Sequence, residues 1–189
     1  MTRSRPILAA VLILAATAAA LLAMGRPAIC TCGTIALWEP DAAGPRTSQM
    51  LSDWYSASHL VHGFLFYGML SLVARHSPAK PTVERRFVVA VLIESAWEIA
   101  ENTPMIINRY REATAALGYT GDAVLNSMSD LTMMAIGFAL ARRLPVWASA
   151  ALVLVLELLP LLVIRDNLTL NVGMLLAPND AIRSWQSGT

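Results

Sequence analysis

Five apolar runs separated by short polar connections set the pattern of this chain: Ile7 to Met24, Trp54 to Ala74, Phe87 to Asn102, Ala123 to Ala141 and Val146 to Ile164. A helix needs about 20 residues to cross the hydrocarbon core of a bilayer, so four runs suffice and the third is short. It reaches the required length by borrowing Thr103 to Ile107 past a kink at Pro104, whose ring removes a helix hydrogen bond. The pattern predicts an all-α, polytopic membrane helix bundle, a single membrane domain over residues 1–189. Its five transmembrane helices are expected at about 7–24, 54–74, 87–107, 123–141 and 146–164. Residues 25–53, rich in Gly, Pro, Ser and Thr, read as an outer loop. Leu168 to Ala177 is apolar but too short to span, and is expected to lie on the interface or re-enter.

Polar residues interrupt these runs at helical spacing. Glu94, Glu98 and Glu101 share one face of the third, and His59 and His62 one face of the second. Asp122, Asn126 and Asp130 follow one another turn by turn in the fourth, and Glu157 sits beside Pro160 in the fifth. Asp122 stands where an N-cap belongs; Asn126 and Asp130 lie inside the helix and need another explanation. An ionisable group at membrane depth costs several kcal/mol unless it finds a partner or water. At about 1.5 Å per residue, His62, Glu98, Asp130 and Glu157 fall in one layer, with His59, Glu101 and Asn126 a turn nearer the outside and Glu94 alone deeper. The expected shape is a polar cup that opens on the outer side.

Composition and charge sharpen this picture. The chain is 56% hydrophobic and 14% charged, with a mean hydropathy of +0.55, against roughly 45–50% apolar residues in soluble domains. A net charge of +1 conceals an asymmetry: Arg3, Arg5, Arg75, Lys80, Arg85, Arg86, Arg142 and Arg143 fall on one side, where Glu84 is the only acid. That side should be cytoplasmic, which places the N-terminus in the cytoplasm and the C-terminus in the periplasm of a cell inner membrane. The lipid bilayer is the implied partner, and nothing calls for nucleic acid. The first run has the basic flank of a signal peptide, but its length and the lack of a small-x-small site favour an uncleaved anchor. Cys30 and Cys32 could pair, bridge to another chain or hold a metal; the simplest reading is loop cysteines without catalytic duty.

The polar set suggests chemistry. His59, His62, Glu98 and Asp130 are suitable ligands for a divalent metal such as zinc, manganese or iron, and Glu101 or Glu157 could serve as general acid and base. Arg109 and Arg111, in the Asn108-Arg-Tyr-Arg111 cluster, could grip a substrate headgroup bidentately, although interfacial anchoring is the simpler role. Asp122 and Asn126 would give polar support. His-x-x-His is less specific than a zincin signature, and the chain has no Gly-x-Ser-x-Gly elbow. Three roles stay open: a metal-assisted hydrolase or transferase on a lipid or envelope substrate, a proton-coupled carrier using Glu94, and a structural protein whose polar groups pair between helices.

The segments His59 to Tyr67, Trp97 to Asn102, Asn108 to Arg111, Gly121 to Asp130 and Arg165 to Asn171 resemble a family of short alphaproteobacterial inner-membrane proteins catalogued as a domain of unknown function. The likeness extends over about Ser48 to Gln186. It implies a multi-pass membrane protein and brings no activity, cofactor or catalytic residue with it.

Overall fold

The computed structural model describes residues 4–114, 116 and 118–188 and is all-helical. Its helices are α1 (Ser4–Ala23), α2 (Ser56–His76), α3 (Val83–Glu101), α4 (Pro104–Ala113), α5 (Val124–Arg143), α6 (Val146–Ile164), α7 (Leu168–Leu176) and α8 (Asp180–Ser187). Among the described residues there is no strand beyond an isolated bridge between Glu39 and Asp53. Four of these helices, α1, α2, α5 and α6, are long and apolar enough to cross a membrane. They turn large apolar side chains outward, including Leu12, Leu72, Leu154 and Leu162, the last 79% exposed. Arg3 of the basic side lies outside the described residues.

The third apolar run is organised differently from the sequence expectation. Thr82 caps α3 by accepting from the Arg85 amide, so the helix begins one turn before Phe87 and takes in Arg85 and Arg86, which had read as loop. It closes at Asn102, and the Thr103 side chain then accepts from the Ile106 amide to cap α4, with Pro104 in its first turn. Pro104 therefore starts a helix instead of kinking one, at the position where a missing N–H costs nothing. The 19 residues of α3 extend about 28 Å without borrowing from α4.

Packing centres on α2 and α5. Gly63 lies against the backbone of Met134 to Phe138, and Gly137 against the Leu60 carbonyl and Gly63. Neither site has room for a Cβ, so the two backbones touch directly. Toward the end bearing Arg85, Arg86, Arg142 and Arg143, hereafter the basic end, Ala10, Ala90, Val91, Met134 and Phe138 form an apolar core. There Phe138 meets Tyr67 and Phe87 edge-on at 5.2 and 5.3 Å.

At the opposite end, residues 25–53 fold back over the bundle. No side chain caps α5. Its first N–H groups are met by the loop's own carbonyls, Ala123 by Ser48, Val124 by Pro27 and Leu125 by Ala28, at 2.8–3.1 Å, which satisfies donors that would otherwise be orphaned. Cys30 and Cys32 form a disulfide within this loop, resolving the three alternatives in favour of pairing with each other. The apolar segment after α6 is a helix, α7, capped by the Asn167 side chain, and α8 continues it.

Candidate functional site

The loop end of the bundle encloses a chamber of about 420 Å³. Two loop stretches, including Gly44, Thr47, Tyr119 and Thr120, contribute to its rim, and its walls come from α2, α3, α4, α5 and α7. Polar side chains line it, or lie behind its lining as Glu94 and Glu98 do, because the helices place them near their loop-facing ends. His59 and His62 stand on the first turns of α2, Glu94, Glu98 and Glu101 on the second half of α3, and Asn126 and Asp130 on the first half of α5.

Glu94 is completely buried and faces both histidines. Its Oε1 lies 2.7 Å from His59 Nδ1, and both of its oxygens lie 3.0 Å from His62 Nδ1. An ionised Glu94 makes each Nδ1 a donor and leaves each neutral ring's Nε2 lone pair directed elsewhere. His59 Nε2 faces Asp130, 3.9 Å from Oδ2. That gap is too long for a hydrogen bond.

Depth reckoning from Phe87 had placed Glu98 beside His62 and left Glu94 deeper. Because α3 starts at Val83, every acid on it is shifted by about one turn, and Glu94 becomes the histidines' partner. Glu98 then sits in the middle of the acidic cluster. It is completely buried, 3.5 Å from His59 Nδ1, and neither of its oxygens accepts a hydrogen bond among the described residues. Ligand-competent atoms come within 4.8 Å of one another in three overlapping groups: His59, His62 and Glu94; His59, Glu98 and Asp130; and Glu98, Glu101 and Asp122.

Around this centre the remaining polar groups are tied down. Asp122 is not the N-cap of α5. Its carboxylate accepts from Asn102 Nδ2 at 2.8 Å and from the Tyr119 hydroxyl at 2.9 Å, while its own amide donates to Asn102 Oδ1. Burial pushes the Asp122 carboxyl up, and the Tyr119 and Asn102 donors oppose that. Burial, and then the neighbouring charges of Asp122 and Glu101, hold the Tyr119 hydroxyl well above its usual range. Tyr110 is raised by burial and by Glu101; both phenols are therefore donors at neutral pH. Asn126 donates to the Met50 carbonyl and anchors the loop. Ser56 donates to Asp130 at 3.3 Å. Asp53 accepts from the Ser48 and Tyr55 amides.

His59, His62, Glu98, Glu101, Asp122, Asn126 and Asp130 thus gather at one end of the bundle, whereas three candidates do not join them. Glu157 turns toward α7, where its Oε2 accepts from the Thr169 amide and hydroxyl at 3.1 and 2.6 Å. It supports the first turn of α7, where a negative charge meets unpaired N–H groups. Arg109 donates through Nε to the Leu175 carbonyl in the last turn of α7, and Arg111 to the Tyr119 carbonyl. Neither lines the chamber, because α4 is a separate helix whose arginines serve backbone carbonyls beside it. Sequence reasoning missed Asn102 and the three tyrosines Tyr55, Tyr110 and Tyr119, which line or brace the chamber. Asn102, one residue after Glu101, was the available signal. The described lining contains no Lys or Arg.

Residues 21–188 match a family described as a protein of unknown function (DUF2585). The similar proteins include a UPF0314 protein of Rhizobium meliloti strain 1021, 55% identical over 87% of this chain and 82% of that one. A UPF0314 protein of Sphingopyxis alaskensis is 49% identical over 96% and 94% of the two chains. One from Paracoccus denitrificans is 49% identical over 98% and 94%. No solved structure matches.

Proposed function

The chain belongs to the DUF2585 family of unknown function, and we propose that it is a metal-dependent hydrolase or transferase of the cell inner membrane, acting on a lipid or envelope substrate from the periplasmic side. The observation that carries this reading is Glu98: a carboxylate sealed from solvent, without a hydrogen-bond donor among the described residues, beside a histidine nitrogen and a second carboxylate. A buried charge in that condition is strongly destabilising, and a divalent cation would relieve it.

His59, Glu98 and Asp130 would hold the ion, a mixed nitrogen and oxygen set suited to zinc, manganese or iron. Glu94 would orient His59 from behind, the arrangement that fixes a ligating imidazole, and His62 would stand beside it at the chamber wall. When bound, such an ion supplies a nucleophile by acidifying a water molecule. Glu101, which lines the chamber, would accept that water's proton and pass it to the departing oxygen of the substrate. A bound metal would also supply positive charge for an anionic substrate group.

The basic end would face the cytoplasm, and the loop 25–53 with its disulfide would face the oxidising periplasm. A fifth crossing is assigned to α3, whose acids are sheltered by α2 and α5. Against the carrier alternative stands the apolar cluster of Ala90 and Val91 with Met134 and Phe138, just below Glu94.

Metal analysis of the protein purified in detergent tests the proposal. A divalent ion should co-purify or bind after reloading, and Glu98→Gln should lose it while keeping the wild-type gel-filtration profile. Wild-type protein that folds normally and takes up no ion would overturn the reading.

A further inference from the structure

Two of the ligand groups share a residue. Glu98 belongs both to the set with His59 and Asp130 and to the set with Glu101 and Asp122. One carboxylate offers two oxygens, and here both are buried and accept no hydrogen bond among the described residues. We propose that Glu98 bridges two divalent cations, one held with His59 and Asp130, the other with Glu101 and Asp122. This rests on the metal-dependent reading above and reassigns Glu101 there, from proton acceptor to metal ligand.

The two positions differ in chemistry. The first combines an imidazole nitrogen with carboxylates and suits a borderline metal; the second is all oxygen and suits a hard one. Manganese fits both. Each is braced from behind: Glu94 holds His59, and Ser56 donates to Asp130. In the second set, Asn102 and Tyr119 donate to Asp122, which orients a ligating carboxylate.

Charge gives a second argument. Among the described residues, Glu94, Glu98, Glu101, Asp122 and Asp130 converge with only His59 and His62 as nitrogen bases. A single divalent ion beside neutral imidazoles leaves most of that negative charge unbalanced in a poorly solvated site, and a second ion removes most of the remainder. Ions that share a carboxylate lie about 3.5–4 Å apart, the geometry that clamps both the attacking and the leaving oxygen of a phosphoryl or acyl group. The pair would also supply the positive charge that the chamber's described lining omits. The substrate class that follows is a phosphate ester or related anionic ester.

Manganese titration of chelator-stripped protein, followed by electron paramagnetic resonance, tests the pair. Wild-type protein should bind about two ions and show the broadened spectrum of an exchange-coupled pair. Glu101→Gln, and independently Asp122→Asn, should bind about half as much and show the six-line spectrum of an isolated ion. Saturation at one ion in wild type, or two ions with uncoupled spectra, would overturn the bridge and leave the one-metal proposal standing. No binding at all would overturn both. If neither variant folds, the wild-type stoichiometry and spectrum decide the question.

Discussion

Glu94 receives two histidines at once, and that single residue changes what the chamber can do. Without it, His59 and His62 would be free to adopt either tautomer; with it, both Nδ1 atoms are engaged and both Nε2 atoms remain for other work. Burial acts on single residues outside the bundle as well. Asp166, at the turn between α6 and α7, accepts from the Asn167 amide, the Gln186 amide group and the Tyr55 hydroxyl. Its burial outweighs these donors and raises its carboxyl to about 6. The folded chain therefore holds this proton more tightly than the unfolded chain, whose carboxyl titrates near 3.8. The resulting stabilisation is complete below pH 3.8 and is lost as pH rises through about 6. Asp166→Asn, which stays neutral, should flatten the fall in thermal midpoint across this window relative to wild type; parallel midpoint curves for the two proteins would refute the assignment.

Among the elements, the α2–α5 crossing sets the spacing of the chamber walls. Gly63 and Gly137 bring these backbones into contact, and His59 and Asp130 project from the same crossing. Gly63→Ala or Gly137→Ala should each cost about 1–3 kcal/mol through overpacking, read as a lowered thermal midpoint in detergent. Gly68→Ala on the same helix is the control: its added Cβ meets nothing within 4 Å, and it should be neutral or stabilising by about 0.5–1 kcal/mol. Equal behaviour at Gly63 and Gly68 would contradict the close crossing. The helical spacing of Glu94, Glu98 and Glu101 was legible from the letters, but their height was not. A helix start misplaced by one turn set Glu98 instead of Glu94 level with His62, because the Thr82 cap lies in a polar stretch with no apolar signal. Pro104 was ambiguous for a related reason: a proline fits the first turn of a helix as readily as it kinks one.

For the whole molecule, the proposed orientation in a bilayer rests on the charge asymmetry and the outward apolar faces. In a Cys30→Ser, Cys32→Ser background, Ala43→Cys should react with a membrane-impermeant maleimide in cells with a permeabilised outer membrane, and Ala79→Cys only after the inner membrane is lysed. The reverse pattern would invert the proposed orientation. Sequence alone determined the all-helical class and the helical faces that carry His, Glu and Asp, because periodicity and hydropathy are local properties that survive without a partner. Tertiary structure decided which of those faces meet. Arg109 and Glu157 are as polar as His59 in sequence, yet α7 packs beside them and takes both, while Glu98 is left in the centre with no donor among the described residues. Membership of the chamber depends on contacts between segments far apart in the chain, and those contacts come from how the helices pack.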